Sequence, residues 1–125
     1  MNVLMQVALG GALGAVLRFG IVQGAGRMFG AGAPVGVAAI NIAGSFVMGL
    51  AAVWFMHRVG DGRLAPFVMA GVLGGFTTFS AFSLDAVVLW EQGRQVAAGV
   101  YVLGSVFGAI AALVAGMIVM RAALA

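Results

Sequence analysis

An all-α integral membrane protein with four transmembrane helices is the fold the chain predicts, and three observations carry that reading. Of its 125 residues 64% are hydrophobic and 7% charged, with 21 glycines, a balance far from that of soluble domains. The charged residues leave four long uncharged runs, at 1–17, 28–56, 64–84 and 95–120. The segments between them, "GRMFGAGAP", "HRVGDGRLAP" and "WEQGRQ", are too short for an extramembrane domain, so function has to lie within the helices.

A membrane helix takes about 20 apolar residues, so the last three runs qualify outright and the first qualifies with Arg18 at or near an interface. That first run has no basic residue ahead of its apolar core, and "GGALGAVLRFG" continues past any plausible cleavage site, so it reads as a span rather than a signal peptide. The expected helices are 1–25, 33–57, 65–90 and 96–121 in one domain, 1–125. Pro34 and Pro66 fall where the second and third helices begin, a position that tolerates the missing N–H. The chain has no cysteine, which excludes disulfides, thiolate chemistry and cysteine-ligated metals. All six basic residues are arginines, and they are dispersed; the high pI reflects a scarcity of acids, and no nucleic-acid partner is implied.

Polar groups inside these runs are the candidates for function. In "AAINIAGSFVMGL" helical spacing sets Asn41 on one face with Gly44, Ser45 and Met48. An amide in hydrocarbon must find partners or cost several kcal/mol, as other unsatisfied buried polar groups do. Spacing leaves open whether Asn41 makes a structural interhelical bond or faces a pathway. In "AGVLGGFTTFS" the paired glycines weaken the helix, and Thr77 and Thr78 can bond to backbone groups, so an interrupted ladder is expected. Such backbone is tolerated at membrane depth only inside protein or beside a wet cavity. Its freed carbonyls would suit an alkali cation, and without an acidic cluster a divalent ion is not expected. Phe79 and Phe82, three apart, share one face with Thr78 and Ser83, whereas Phe76 lies outside it and reads as packing. Tyr101 and Ser105, four apart, are either a polar track or an interfacial anchor and its neighbour. His57, Asp61, Asp85 and Glu91 are expected to reach water or the interface. With no nucleophile, base and orienter in one place, an enzyme is not expected.

The motifs "GGALGAVLRFG", "NIAGSFVMG" and "GGFTTFSAFSLD", in this order and in helices one, two and three, closely resemble the small bacterial fluoride channels of the Fluc family, also called CrcB. The resemblance implies a passive fluoride channel of the bacterial inner membrane: a dual-topology antiparallel homodimer with two pores and a structural sodium ion at its centre. By the motifs, Gly74 and Thr77 would offer backbone carbonyls to sodium. Phe79 and Phe82 would be the pore phenylalanines, Asn41 a pore-lining amide, and Thr78, Ser80 and Ser83 nearby hydroxyls. Tyr101 and Ser105 match a polar track, and Arg18 and Asp85 fall at vestibule or structural positions. The chain departs from the pattern at Val37 and Ala81, where threonine is common, and at Asp85, where glutamate is usual. Small multidrug exporters are similar in length but resemble one another in carrying a glutamate in helix one, and residues 1–17 contain no acid. Asn41 and the interrupted helix also speak against a non-transporting assembly factor.

Four spans set both termini and the second loop on one side, with Arg58, Arg63 and Arg121, while Arg27 and Arg94 lie opposite with Arg18 near the end of helix one that faces them. Orientation follows the excess of Lys and Arg in cytoplasmic loops, and the excess here is close to nil, so insertion both ways round is expected. The pairs Gly10/Gly14, Gly20/Gly24, Gly71/Gly75 and Gly104/Gly108 allow close helix approach within or between subunits. Terminal topology reporters should find each end on both sides of the membrane; a single orientation of the unmodified protein would refute dual insertion.

Overall fold

The computed structural model describes residues 2–30, 34–58 and 62–125; Asp61 lies outside them. Helix α1 spans Val3–Phe29, opened by the Asn2 side chain, which accepts the Leu4 N–H at 2.6 Å. Helix α2 spans Val35–His57 directly after Pro34. At its end the Arg58 guanidinium lies 4.3 Å over the Trp54 ring. The third span is composite. A 3-10 turn at Gly62–Leu64 leads into a π-helical segment, Pro66–Leu73, then the single turn α3, Gly74–Phe76; after a break at 77–79, α4 runs over Ser80–Glu91. A turn with Gly93 at φ 79° leads to α5, Gln95–Leu124. Among the described residues four helical stretches are long and apolar enough to cross a membrane. Even the 23-residue α2 is about 35 Å long at 1.5 Å per residue, against a hydrocarbon thickness of about 30 Å.

The interruption falls within the expected stretch, though on its threonines rather than its glycines: Gly74 and Gly75 stay helical, and the backbone becomes extended at Thr77 (φ −81°, ψ 156°). Glycine loosens the segment, but the break falls where a side chain from another helix competes for the backbone. Arg18, expected near an interface, stands midway along α1, because the apolar helix continues on both sides of it to Phe29. The arginines near the loops are then three, Arg58, Arg63 and Arg121, against two, Arg27 and Arg94.

Glycines set the helix spacing. A Cβ on Gly10 would stand 2.5 Å from the Phe67 carbonyl oxygen, one on Gly75 would stand 2.6 Å from that of Gly11, and one on Gly14 would collide with the Val72 carbonyl. Helix α1 therefore lies backbone to backbone against the π-helical segment and α3. Gly49 and Gly116 do the same for α2 and α5, against the Leu113 and Phe46 carbonyls. Thus Gly10/Gly14 and Gly71/Gly75 serve packing within the chain, whereas Gly20, Gly24 and Gly104 meet open space. The buried core is small, with Val37, Phe82, Leu89, Ala98 and Tyr101 in one cluster, and large apolar side chains cover the outside as lipid-facing helices require. Gly14→Ala should destabilise the protein by about 1–3 kcal/mol through overpacking. Gly20→Ala should not. Thermal unfolding in detergent would compare them, and equal midpoints would refute the close-approach account.

Candidate functional site

The break is made by exchanging hydrogen-bond partners. In a continuous helix the Thr78 N–H would return to the Gly74 carbonyl, four residues back. Instead it donates to Asn41 Oδ1 at 2.8 Å, while Asn41 Nδ2 donates to the Thr78 carbonyl at 2.9 Å. The second exchange follows one turn on: the Ala81 N–H donates to Thr78 Oγ1 at 3.2 Å rather than to the Thr77 carbonyl. Thr77 itself still closes the previous turn, its N–H and Oγ1 both donating to the Leu73 carbonyl at 3.0 Å. The carbonyls of Gly74 and Thr77 have therefore both lost their helical donors. That of Thr77 accepts from Arg18 Nη1 at 3.4 Å, so the mid-span arginine points at the break. Gly44 admits the arrangement: a Cβ there would stand 2.5 Å from Thr77 Cγ2 and 3.1 Å from the Phe76 ring.

Beside the break is a cleft of about 270 Å³, lined on its polar side by Asn41, Ser45, Thr77, Thr78 and Ser105 and otherwise by Phe79, Phe82 and aliphatic groups of α2 and α5. None of the described residues lining it is charged. An amide carries two N–H groups, and the clamp on Thr78 uses one of them. Ser105 is 6% exposed, and its hydroxyl has no hydrogen-bond partner among the described residues. A buried unpaired hydroxyl costs roughly 1–3 kcal/mol, and this one belongs to a residue that lines the cleft. Phe79, 78% exposed, meets Phe82, 8% exposed, with ring centroids 5.6 Å apart; Phe82 in turn meets Tyr101 at 5.3 Å. The three tilted rings form a ladder from the surface into the core.

Other singled-out residues lie beside the cleft rather than on it. The Tyr101 hydroxyl donates to Asp85 Oδ2 at 3.2 Å, which makes Tyr101 a buried partner of Asp85 and not an interfacial anchor. Asp85 was expected at water or the interface; this bond and its half-buried position tie it to α5 instead. Ser83 turns its hydroxyl back to the Phe79 carbonyl at 2.9 Å. Ser80 lines a second cavity of about 240 Å³ with Arg18, Phe19, Val22, Val37, Thr78 and Ala81. Val37 and Ala81, two positions where the resemblance would set threonine, therefore make one wall region less polar. Thr78 stands between the two cavities. His57 and Glu91 are exposed, the former with Nδ1 3.0 Å from the Val53 carbonyl oxygen. Sequence reasoning missed the Arg18–Thr77 contact and the role of Gly44, although Gly44 had been placed on the face of Asn41.

These features define a multi-pass membrane protein whose third span opens onto an uncharged polar cleft. The chain belongs to the CrcB family: the family described as "CrcB-like protein, Camphor Resistance (CrcB)" matches residues 5–117. Its relatives include three proteins named fluoride-specific ion channel FluC. That of Paracoccus denitrificans is 53% identical over 117 residues (94% of this chain, 93% of the relative). That of Cereibacter sphaeroides is 52% identical over 118 residues (94% of each), and that of Chelativorans sp. 50% over 122 (97% and 98%). The family is one of ion channels, not enzymes. Tyr101→Phe should keep the ring ladder but strip the half-buried Asp85 of its donor, lowering stability by about 1–3 kcal/mol in detergent unfolding; an unchanged midpoint would show that the bond holds nothing together.

Proposed function

We propose that this chain is a fluoride-specific channel that lets fluoride leave the cytoplasm down its gradient, as an antiparallel, dual-topology homodimer with two pores in the bacterial inner membrane. The observation that carries the reading is the uncharged cleft at the break, lined by Asn41 and by the buried Ser105, whose hydroxyl has no hydrogen-bond partner among the described residues. A small, strongly hydrated anion needs donors to replace its water, yet a full positive charge would hold it too tightly for exit. Amide and hydroxyl donors with the positive edges of Phe79 and Phe82 meet both demands. The relatives' names supply the identity of the anion.

Self-association is supported by where the break faces. Gly74, Phe79 and Ser80 are exposed on the single chain at the middle of the third span. Lipid does not tolerate unwound backbone there, so protein must cover it, and a second copy with near-balanced loop arginines supplies that cover. The structural sodium ion proposed for the dimer centre fits the same place: the carbonyls of Gly74 and Thr77 have lost their helical donors and are hard oxygen ligands. Arg18 uses one acceptor direction of the Thr77 oxygen, and a carbonyl has two. When bound, the ion would supply positive charge to neutralise these dipoles, and it is not transported.

Purified protein in liposomes loaded with fluoride should release it, and chloride-loaded liposomes should not leak. Phe79→Ile and Phe82→Ile retain apolar bulk but lose the ring quadrupole, so at least one should reduce fluoride flux strongly while the dimer persists. Full flux and selectivity in both variants would assign the phenylalanines to packing and refute the ring-edge mechanism.

A further inference from the structure

The hydrogen bonds at the break connect the cleft to the carbonyls behind it. We infer that Asn41 and Thr78 are positioning residues for the cation site as well as members of the cleft: their side chains create the site by withdrawing two N–H groups from the carbonyls that would bind the ion. The inference rests on the proposed sodium ion and extends it to residues whose own atoms need not touch that ion. Among the described residues no cluster of acids could build a cation site from charge, and a carbonyl already accepting a helical N–H is a weakened ligand. The carbonyls of Gly74 and Thr77 both lack the donor four residues on because a side chain holds it. Thr78 N–H is held by Asn41 Oδ1, and Ala81 N–H by Thr78 Oγ1. The two exchanges are in series, since Thr78 is the recipient of the first and the agent of the second. Asn41 Nδ2 closes the clamp on the Thr78 carbonyl, and the small Gly44 lets α2 come near enough for the amide to reach.

The consequence is reciprocal coupling. A cation on Gly74 and Thr77 favours the broken ladder; by linkage, whatever returns the Thr78 N–H to Gly74 weakens cation binding. Substitutions at Asn41 can then be chosen to separate its two roles. Asn41→Leu is close in size but removes both bonds, so Thr78 N–H can return to Gly74. Asn41→Asp keeps an acceptor for Thr78 N–H in either protonation state while losing both amide N–H groups, the one bonded to the Thr78 carbonyl included. Thr78→Val is nearly isosteric and keeps the clamp, but releases Ala81 N–H to Thr77.

The test is thermal unfolding of the full-length detergent-solubilised dimer across a sodium titration, with N-methylglucamine holding ionic strength constant. Sodium should raise the midpoint of the unsubstituted protein. In Asn41→Leu the sodium concentration for half-maximal stabilisation should rise roughly tenfold or more, in the range of ordinary coupling between sites, or the response should vanish. In Asn41→Asp it should stay near that of the parent although fluoride efflux is lost. Thr78→Val should show a smaller shift in the direction of Asn41→Leu, and it decides the matter on its own where Asn41→Leu gives no folded dimer. Unshifted half-saturation in the variants that fold, Thr78→Val among them, would overturn the inference and leave the channel reading intact. A response lost in Asn41→Asp as well would overturn it by showing that the acceptor is not what matters. No sodium response in the unsubstituted protein would overturn the sodium reading and this inference together, whatever the efflux assay gives.

Discussion

The N–H of Thr78 governs the rest of this structure. In hydrocarbon a backbone donor without a partner costs several kcal/mol, so it must be claimed by the helix it belongs to or by something equally good. Asn41 offers an acceptor at 2.8 Å and repays the Thr78 carbonyl with a donor at 2.9 Å, so the helix can open without an orphaned group on that residue. Much else serves this exchange. Glycines 10, 14, 71 and 75 hold α1 against the first half of the third span, Gly44 clears room on α2, and Arg18 reaches across to the Thr77 carbonyl. An opened helix at mid-span then requires a protein neighbour, which links the local bond to the proposed dimer.

The distribution of charge follows the same logic of restraint. Arg18 reaches the break, yet it lines the second cavity and donates to backbone rather than lining the cleft. Asp85, whose carboxylate would repel an anion, is held by the Tyr101 hydroxyl behind the Phe82 ring. What remains toward the cleft is an amide, hydroxyls and aromatic edges, groups whose attraction for an anion is individually weak. In the proposed pore such a surface would lower the cost of dehydration without creating a trap, the balance conduction demands.

Much of this was legible in the chain. Four spans follow from run lengths, and the polar face of Asn41, Gly44 and Ser45 from a period of 3.6 residues. The interruption of the third helix was readable from "GGFTT", but its position was not. Local propensity points at the glycines, whereas the outcome is set by a tertiary competitor on α2, and no single-segment rule reports that. Spacing also left two readings of Asn41 open, and the geometry accommodates both because one amide has two N–H groups. Arg18 was misplaced for a related reason: charge usually marks the end of a span, and only a carbonyl freed 59 residues away makes mid-span tolerable. The inward turn of Tyr101 toward Asp85 likewise depends on how α4 and α5 pack.

Composition offers a direct view of the governing bond, since Thr77 and Thr78 are the chain's only threonines and Asn2 and Asn41 its only asparagines. Solid-state NMR of the dimer in lipid, with 15N-threonine and side-chain 13C-asparagine, therefore reads two amide nitrogens against two carboxamide carbons. A 13C-carbonyl threonine label in a second sample identifies Thr78, the one threonine amide that follows a threonine. The account predicts strong dipolar coupling between the Thr78 nitrogen and the Asn41 carboxamide carbon, with the Thr77 nitrogen uncoupled. Absence of that coupling, with the Thr78 amide instead paired to Gly74 in a continuous helix, would contradict it.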